Sequence, residues 1–203
     1  MQQYGVEIPQ AIKDGVVDSL PLVKEITDET LRNQVIDAWA LALVKNDYKK
    51  IEEIPGSGIP GGPILGDQAQ HINAVTRLAL SYVEILEDTH KISLGVERDM
   101  LIACGLVHDV GKPFEFSPAH RARWEADYRP SGLPALRHTM YGVHIALTVG
   151  LPEAVVHVCG CHSPEGRLVK RSLPATIIHF GDEVYWQVLE SALRWTLPMK
   201  AES

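Results

Sequence analysis

The 203 residues carry 19 Lys and Arg against 26 Asp and Glu, a formal net charge of -7, which argues against a protein that coats nucleic acid or a membrane surface and leaves small substrates open, because local charge can oppose the global sign. The length suits a single domain over 1–203, with a full core and room for an extra helical segment. Cys104, Cys159 and Cys161 sit in apolar segments without disulfide or CxxC spacing, no apolar run approaches the ~18 residues of a membrane span, and the N-terminus has neither a basic region nor a hydrophobic signal segment. The expectation is a reduced cytoplasmic protein with no membrane partner; its oligomeric state, homo-oligomer included, is left open.

A helical period dominates the chain. The stretch "TDETLRNQVIDAWALALVKN" places Asp28 and Glu29 in a first turn and Leu31, Val35, Ala38, Trp39, Ala42 and Leu43 at three-and-four spacing, which predicts an amphipathic helix. It belongs to an N-terminal helical extension over 1–50. Next comes "PGSGIPGGPILG", residues 55–66, with five glycines and three prolines; this is a loop with unusual backbone angles, serving as a plain connector or as a lid. It is not a P-loop, since no Gly-Lys-Ser/Thr follows and no strand precedes. The period resumes in "QAQHINAVTRLALSYVEILED", with His71 in the first turn. Further helices are predicted over about 97–107, 134–149, 152–161 and 174–195, whereas "KPFEFSPAHRARWEADYRPSGLP" reads as a long mixed loop. No alternating strand pattern of useful length occurs, so the fold class is all-α.

The stretch "CGLVHDVGKP" sets His108 and Asp109 side by side where an apolar run meets a glycine. Gly111 reads as a helix C-terminal residue and Pro113 as the stop. That leaves an imidazole and a carboxylate beside Leu106, Val107 and Val110, where an unpaired charge is costly. Other histidines fall where apolar helices begin or end: His71, His138 in "LRHTMYGVHIA", His162 in "VVHVCGCH", and then Asp182 in "IIHFGDEVYW". Any one of these alone is more often a hydrogen-bonded core residue. Together, four imidazoles and two carboxylates from five helical segments are what a bundle needs to hold borderline metal ions at its centre. His90, His120, His144 and His157 read as structural or surface residues.

The order His71, then His108-Asp109 followed by "VGK", then Asp182 resembles the HD-domain superfamily, and "LVHDVGKP" is close to the string that gives that family its name. The resemblance covers roughly residues 65–190 and leaves residues 1–50 outside. It implies an HD-type helical bundle with a binuclear metal centre: one ion on His71, His108, Asp109 and Asp182, a second on His138 and His162, with Asp109 bridging both. The ions implied are two divalent cations drawn from iron, manganese, nickel, cobalt or zinc. The activity implied is metal-dependent hydrolysis of a small phosphate ester or nucleotide by a metal-bridging hydroxide, on a small anionic substrate, with Asp109 and Lys112 as the catalytic pair. Lys112 would neutralise charge on the substrate; its plainer alternative is a helix C-terminal lysine facing water. His179, three residues before Asp182, and Arg167 are weaker candidates for substrate contact.

Similar families divide at this point. The subgroup that cleaves cyclic di-GMP carries a motif that "CHSPEGRLVKRSLP" does not match, and the deoxynucleoside monophosphatases lack the two middle histidines. A branch resembling myo-inositol oxygenase uses the same six ligands for a mixed-valent di-iron centre, so an oxygenase acting on a small polar substrate is the alternative. An HD-derived binding or regulatory module is a third reading.

Overall fold

The computed structural model describes residues 4–193. Its elements are α-helices joined by turns, short 3-10 segments and loops: α1 (Gln10–Ser19), α2 (Glu29–Lys45), α3 (Gln68–His90), α4 (Arg98–Val107), α5 (Lys112–Phe116), α6 (Pro118–Ala126), α7 (His138–Thr148), α8 (Glu153–Cys161) and α9 (Leu173–Leu193). The all-α class expected from the sequence is the class observed, with no named strand among the described residues. The last two positions of the final predicted helix, 194 and 195, lie outside them. Among the described residues no helix is long and apolar enough to cross a membrane.

Local chemistry sets the helix starts. The Asp28 side chain accepts hydrogen bonds from the Thr30 and Leu31 amides at the head of α2. Asp67 and Gln70 form a reciprocal capping box at the head of α3. Each satisfies amide donors that a helix start leaves without partners. The second box also fixes where α3 begins, and hence where His71 points.

Helix α2 is amphipathic in its first half, where Leu31 and Val35 are buried and Glu29, Thr30 and Asn33 exposed, but not in its second. Every residue from Asp37 to Leu43 is buried, because α1, α4 and α7 cover it on several sides. Its acid is neutralised locally, with Asp37 taking Lys13 Nζ at 2.5 Å and the Tyr4 hydroxyl at 3.0 Å. Trp39 Nε1 donates to the Leu106 carbonyl at 2.7 Å, which ties the N-terminal segment to the turn that precedes His108. One apolar core runs without interruption from Val16 to Ile178, so the N-terminal helices belong to the body that carries the site.

Two further differences from the sequence expectation matter. The stretch read as a long mixed loop contains α5 and α6. Ser117 and Pro118 start α6, with Ser117 Oγ accepting from the His120 amide, and Trp124 of this helix is fully buried. Gly111, in turn, is not a left-handed helix stop: its φ of -85° and ψ of -8° suit any residue, and Lys112 and Pro113 open α5. Glycine is required there for space. A Cβ at residue 111 would lie 1.9 Å from the His138 carbonyl oxygen and 2.7 Å from the Gly142 nitrogen. The turn after His108-Asp109 thus sits directly on the first turn of α7.

Candidate metal centre

Five elements deliver side chains to one point. His71 comes from the first turn of α3, His138 from the first position of α7, and Asp182 from the middle of α9, while His108 and His162 directly follow α4 and α8. Asp109 shares its target with His108 because the ladder of α4 gives way there to tight turns, with Val110 N bonded to Val107 O and Lys112 N to Asp109 O. All four imidazoles and Asp109 are buried.

The two oxygens of Asp109 face different partners. Oδ2 lies 3.4 Å from His71 Nε2 and 3.6 Å from His108 Nε2. Oδ1 lies 3.3 Å from His138 Nε2 and 3.4 Å from His162 Nε2. Two donor clusters result, His71-His108-Asp109 and Asp109-His138-His162, each with its ligand atoms within 4.8 Å of one another. Asp182 joins the first, its Oδ1 lying 3.3 Å from His71 Nε2.

The outer contacts fit this donor set to cations. The Nδ1 atoms of His108 and His162 face the Gly105 and Val158 carbonyls at 2.7 and 3.0 Å. A carbonyl only accepts, so these Nδ1 atoms carry the proton and each Nε2 presents a lone pair to the centre. His138 Nδ1 faces Glu115 Oε2 at 2.6 Å, and the His138 amide donates to the same oxygen at 2.9 Å. Asp182 Oδ1 is shielded from solvent with His71 Nε2, at 3.3 Å, as its polar neighbour and no well-aligned hydrogen bond; a bound cation would satisfy a carboxylate oxygen that is otherwise costly to bury. Burial, which would lower the His71 imidazole, is outweighed by hydrogen bonds and charge from Asp109 and Asp182, which raise it to about 9. That side of the centre attracts positive charge. His108 is pushed down to about 4, mostly by burial against the pull of Asp109, so it stays neutral and able to coordinate.

Sequence reasoning missed three residues that build this site. Glu115 is fully buried. Besides holding His138, it pairs through Oε1 with Arg137 Nη1, and Arg137 Nε reaches Glu165 Oε1 at 2.9 Å. Burial would raise the Glu115 carboxyl, but the hydrogen bond and charge of His138, with Lys112 and Arg137, bring it down to about 2. Gln68 Nε2 donates to Asp109 Oδ2 at 2.6 Å; its place three residues before His71, on the same helix face, was the available signal. Trp186 stacks on His71 with ring centroids 5.1 Å apart and planes 29° apart.

Lys112 is 2% exposed, so the helix-end lysine facing water is ruled out. Its Nζ donates to the Gly58 carbonyl at 2.7 Å and the Ser57 carbonyl at 3.4 Å, and lies 4.0 Å from Asp109 Oδ2. It therefore ties the Gly/Pro loop to the floor of a cavity of about 470 Å³ that the loop, the centre and α9 enclose together. Arg167 and His179 are not among the residues lining this cavity. Arg167 is exposed and donates to the Pro164 carbonyl, while His179 Nδ1 lies 2.6 Å from the His162 carbonyl, behind a centre residue. Of the remaining histidines, His90 and His144 are exposed, His157 accepts from the Ser172 amide and His120 lies against Phe114.

Comparison with known proteins places these features in context. Residues 69–185 match the family model described as "HD domain". A dihydroneopterin 2',3'-cyclic phosphate phosphodiesterase from Methanocaldococcus jannaschii is 25% identical over 182 residues, covering 86% of this chain and 70% of that relative. No solved structure matches the chain.

Proposed function

Because this chain belongs to the HD domain family, we propose that it is a metal-dependent phosphohydrolase that opens a small phosphate diester. The relative named as a cyclic phosphate phosphodiesterase supports that class of bond. The observation that carries the proposal is the division of Asp109, with each oxygen set against a different pair of imidazole Nε2 atoms.

In this reading His71, His108, Asp109 and Asp182 hold one divalent ion, and Asp109, His138 and His162 hold a second. When bound, such ions supply a water acidified towards neutral pH and a positive centre for phosphoryl oxygens. The chain's own groups do the rest. Glu115 and the Gly105 and Val158 carbonyls orient the imidazoles, and Gln68 fixes the Asp109 carboxylate. Lys112 and Arg137 line the cavity and would be the cations available to the phosphate, and the Gly/Pro loop would limit water. Water adds across one P–O bond: its oxygen joins phosphorus, and its proton leaves on the departing alcohol. The product is a phosphate monoester.

The test supplies 2',3'-cyclic phosphates and bis(p-nitrophenyl) phosphate to metal-loaded protein with and without oxygen and follows products by phosphorus NMR. Monoester formed at equal rates under both atmospheres is the expected result. Substrate loss coupled to oxygen uptake, with no monoester, would overturn it in favour of oxygenase chemistry.

A further inference from the structure

The four imidazoles of the centre are not held alike. His108, His138 and His162 each set Nδ1 against an acceptor: the Gly105 carbonyl at 2.7 Å, Glu115 Oε2 at 2.6 Å and the Val158 carbonyl at 3.0 Å. His71 Nδ1 is buried and has no hydrogen-bond partner among the described residues. A ligand imidazole ordinarily takes its tautomer and ring orientation from such an acceptor, and without one the torsion that turns the ring is broad. The ring is nonetheless aimed at the centre, with Nε2 3.4 Å from Asp109 Oδ2 and 3.3 Å from Asp182 Oδ1.

Two aromatic rings of α9 flank it. Trp186 stacks on His71 with centroids 5.1 Å apart and planes at 29°. Tyr185 meets His71 edge to face, at 4.7 Å and 71°, and stands perpendicular to Trp186 at 5.1 Å. The imidazole thus sits in a corner that two rings make. Asp182, Tyr185 and Trp186 follow the i, i+3, i+4 spacing of one helix face, so the helix that brings Asp182 to the first site also brings the walls that confine His71. Trp186 lines the cavity and His71 does not, which makes the indole a screen between the two.

We infer that Trp186, braced by Tyr185, is a positioning residue: it holds His71 in its coordinating orientation by aromatic packing, in place of the hydrogen-bonded acceptor that the other three imidazoles have. It sets the affinity of the first site and leaves the second alone. The inference rests on the two-site reading of the centre.

The test reads metal affinity rather than turnover, by calorimetric titration of metal-free, full-length protein with Mn2+. His162→Ala leaves His71, His108, Asp109 and Asp182 as the intact site. In that background Trp186→Leu weakens binding by roughly tenfold, the lower end of the loss for an outer partner of a ligand, and Trp186→Phe, which keeps a flat ring, restores most of the affinity. In a His71→Ala background Trp186→Leu changes nothing, because the ring it positions is gone. Circular dichroism checks that each variant is folded, and Tyr185→Leu, which removes the other wall, repeats the comparison if Trp186→Leu is not. Unchanged affinity on loss of the wall, equal losses with and without His71, or a Phe variant no better than Leu overturns the inference. The two claims separate in the parent: a His162→Ala protein that takes up no Mn2+ removes the two-site reading and this inference with it, whereas one that binds Mn2+ with the same affinity after Trp186→Leu removes the inference alone.

Discussion

Replacing Gly111 by alanine adds one methyl group at the point where the His108-Asp109 turn meets α7. The new Cβ would lie 1.9 Å from the His138 carbonyl oxygen, and Cβ contacts below 3.0 Å are essentially never seen, so the two segments must part by more than an ångström. The obstruction is backbone, which no rotamer change relieves. Overpacking costs typically 1–3 kcal/mol, and for a rigid partner the upper end, about 3 kcal/mol, applies; at about 2–4 °C per kcal/mol for a chain of this size, melting falls by about 6–12 °C. His138 moves with its carbonyl, and a displacement of about 1 Å at a reacting centre costs on the order of 100-fold in turnover. Gly15→Ala supplies the control, because a Cβ in the middle of α1 meets nothing within 4 Å and alanine there stabilises by about 0.5–1 kcal/mol. Thermal melts by circular dichroism and phosphodiester turnover are measured on both variants. A Gly111→Ala protein that melts within a degree of wild type and keeps full activity would refute the account of this junction.

Glu115→Gln keeps the shape but removes the charge that orients His138, and metal affinity falls by roughly 10–100-fold in competition with a chelator. Glu115 is brought down to about 2 in the folded protein, so its contribution to stability is complete above the ordinary glutamate value near 4.3 and fades as pH falls towards 2; the melting gap between metal-free wild type and Glu115→Gln therefore narrows with acidification below pH 4.3, and parallel curves would contradict this. Lys112→Met lowers turnover by roughly tenfold to a thousandfold through loss of a preorganised charge, and, with the Ser57 and Gly58 carbonyls released, protease cleavage within 56–66 accelerates; unchanged cleavage would show that the lysine does not hold the loop. Deleting residues 58–62 impairs turnover more than melting temperature, and equal losses would return the loop to a connector.

Much of the centre was legible because its ligands sit at helix boundaries, where an imidazole or carboxylate interrupts an apolar period. His71, His108, Asp109, His138, His162 and Asp182 all stand at such breaks or on the apolar face of a helix, and the structure brings all six together. Glu115 gave no such signal. In "KPFEF" it reads as a solvated acid, and the residue that explains its burial, His138, is 23 positions away. Gly111 was misread for a related reason: the chain after it suggested a local stop, while the constraint comes from the His138 carbonyl across a helix contact. The period of α2 located its buried stripe, but the all-round burial of its second half was not legible, because the run Ala40-Leu41-Ala42-Leu43 fills the remaining faces and neighbouring helices cover it. Trp186 has the spacing of a core aromatic, and only the fold places it between His71 and the Gly/Pro loop.

The claim on which the account depends most is that Asp109 is shared by two cation sites, and metal counting on anaerobically purified protein tests it directly. Wild type is predicted to hold about two ions per chain, His162→Ala about one, and Asp109→Ala fewer than one, with helical content preserved by circular dichroism in all three. Two ions retained in His162→Ala, or a full site surviving in Asp109→Ala, would contradict a bridging carboxylate.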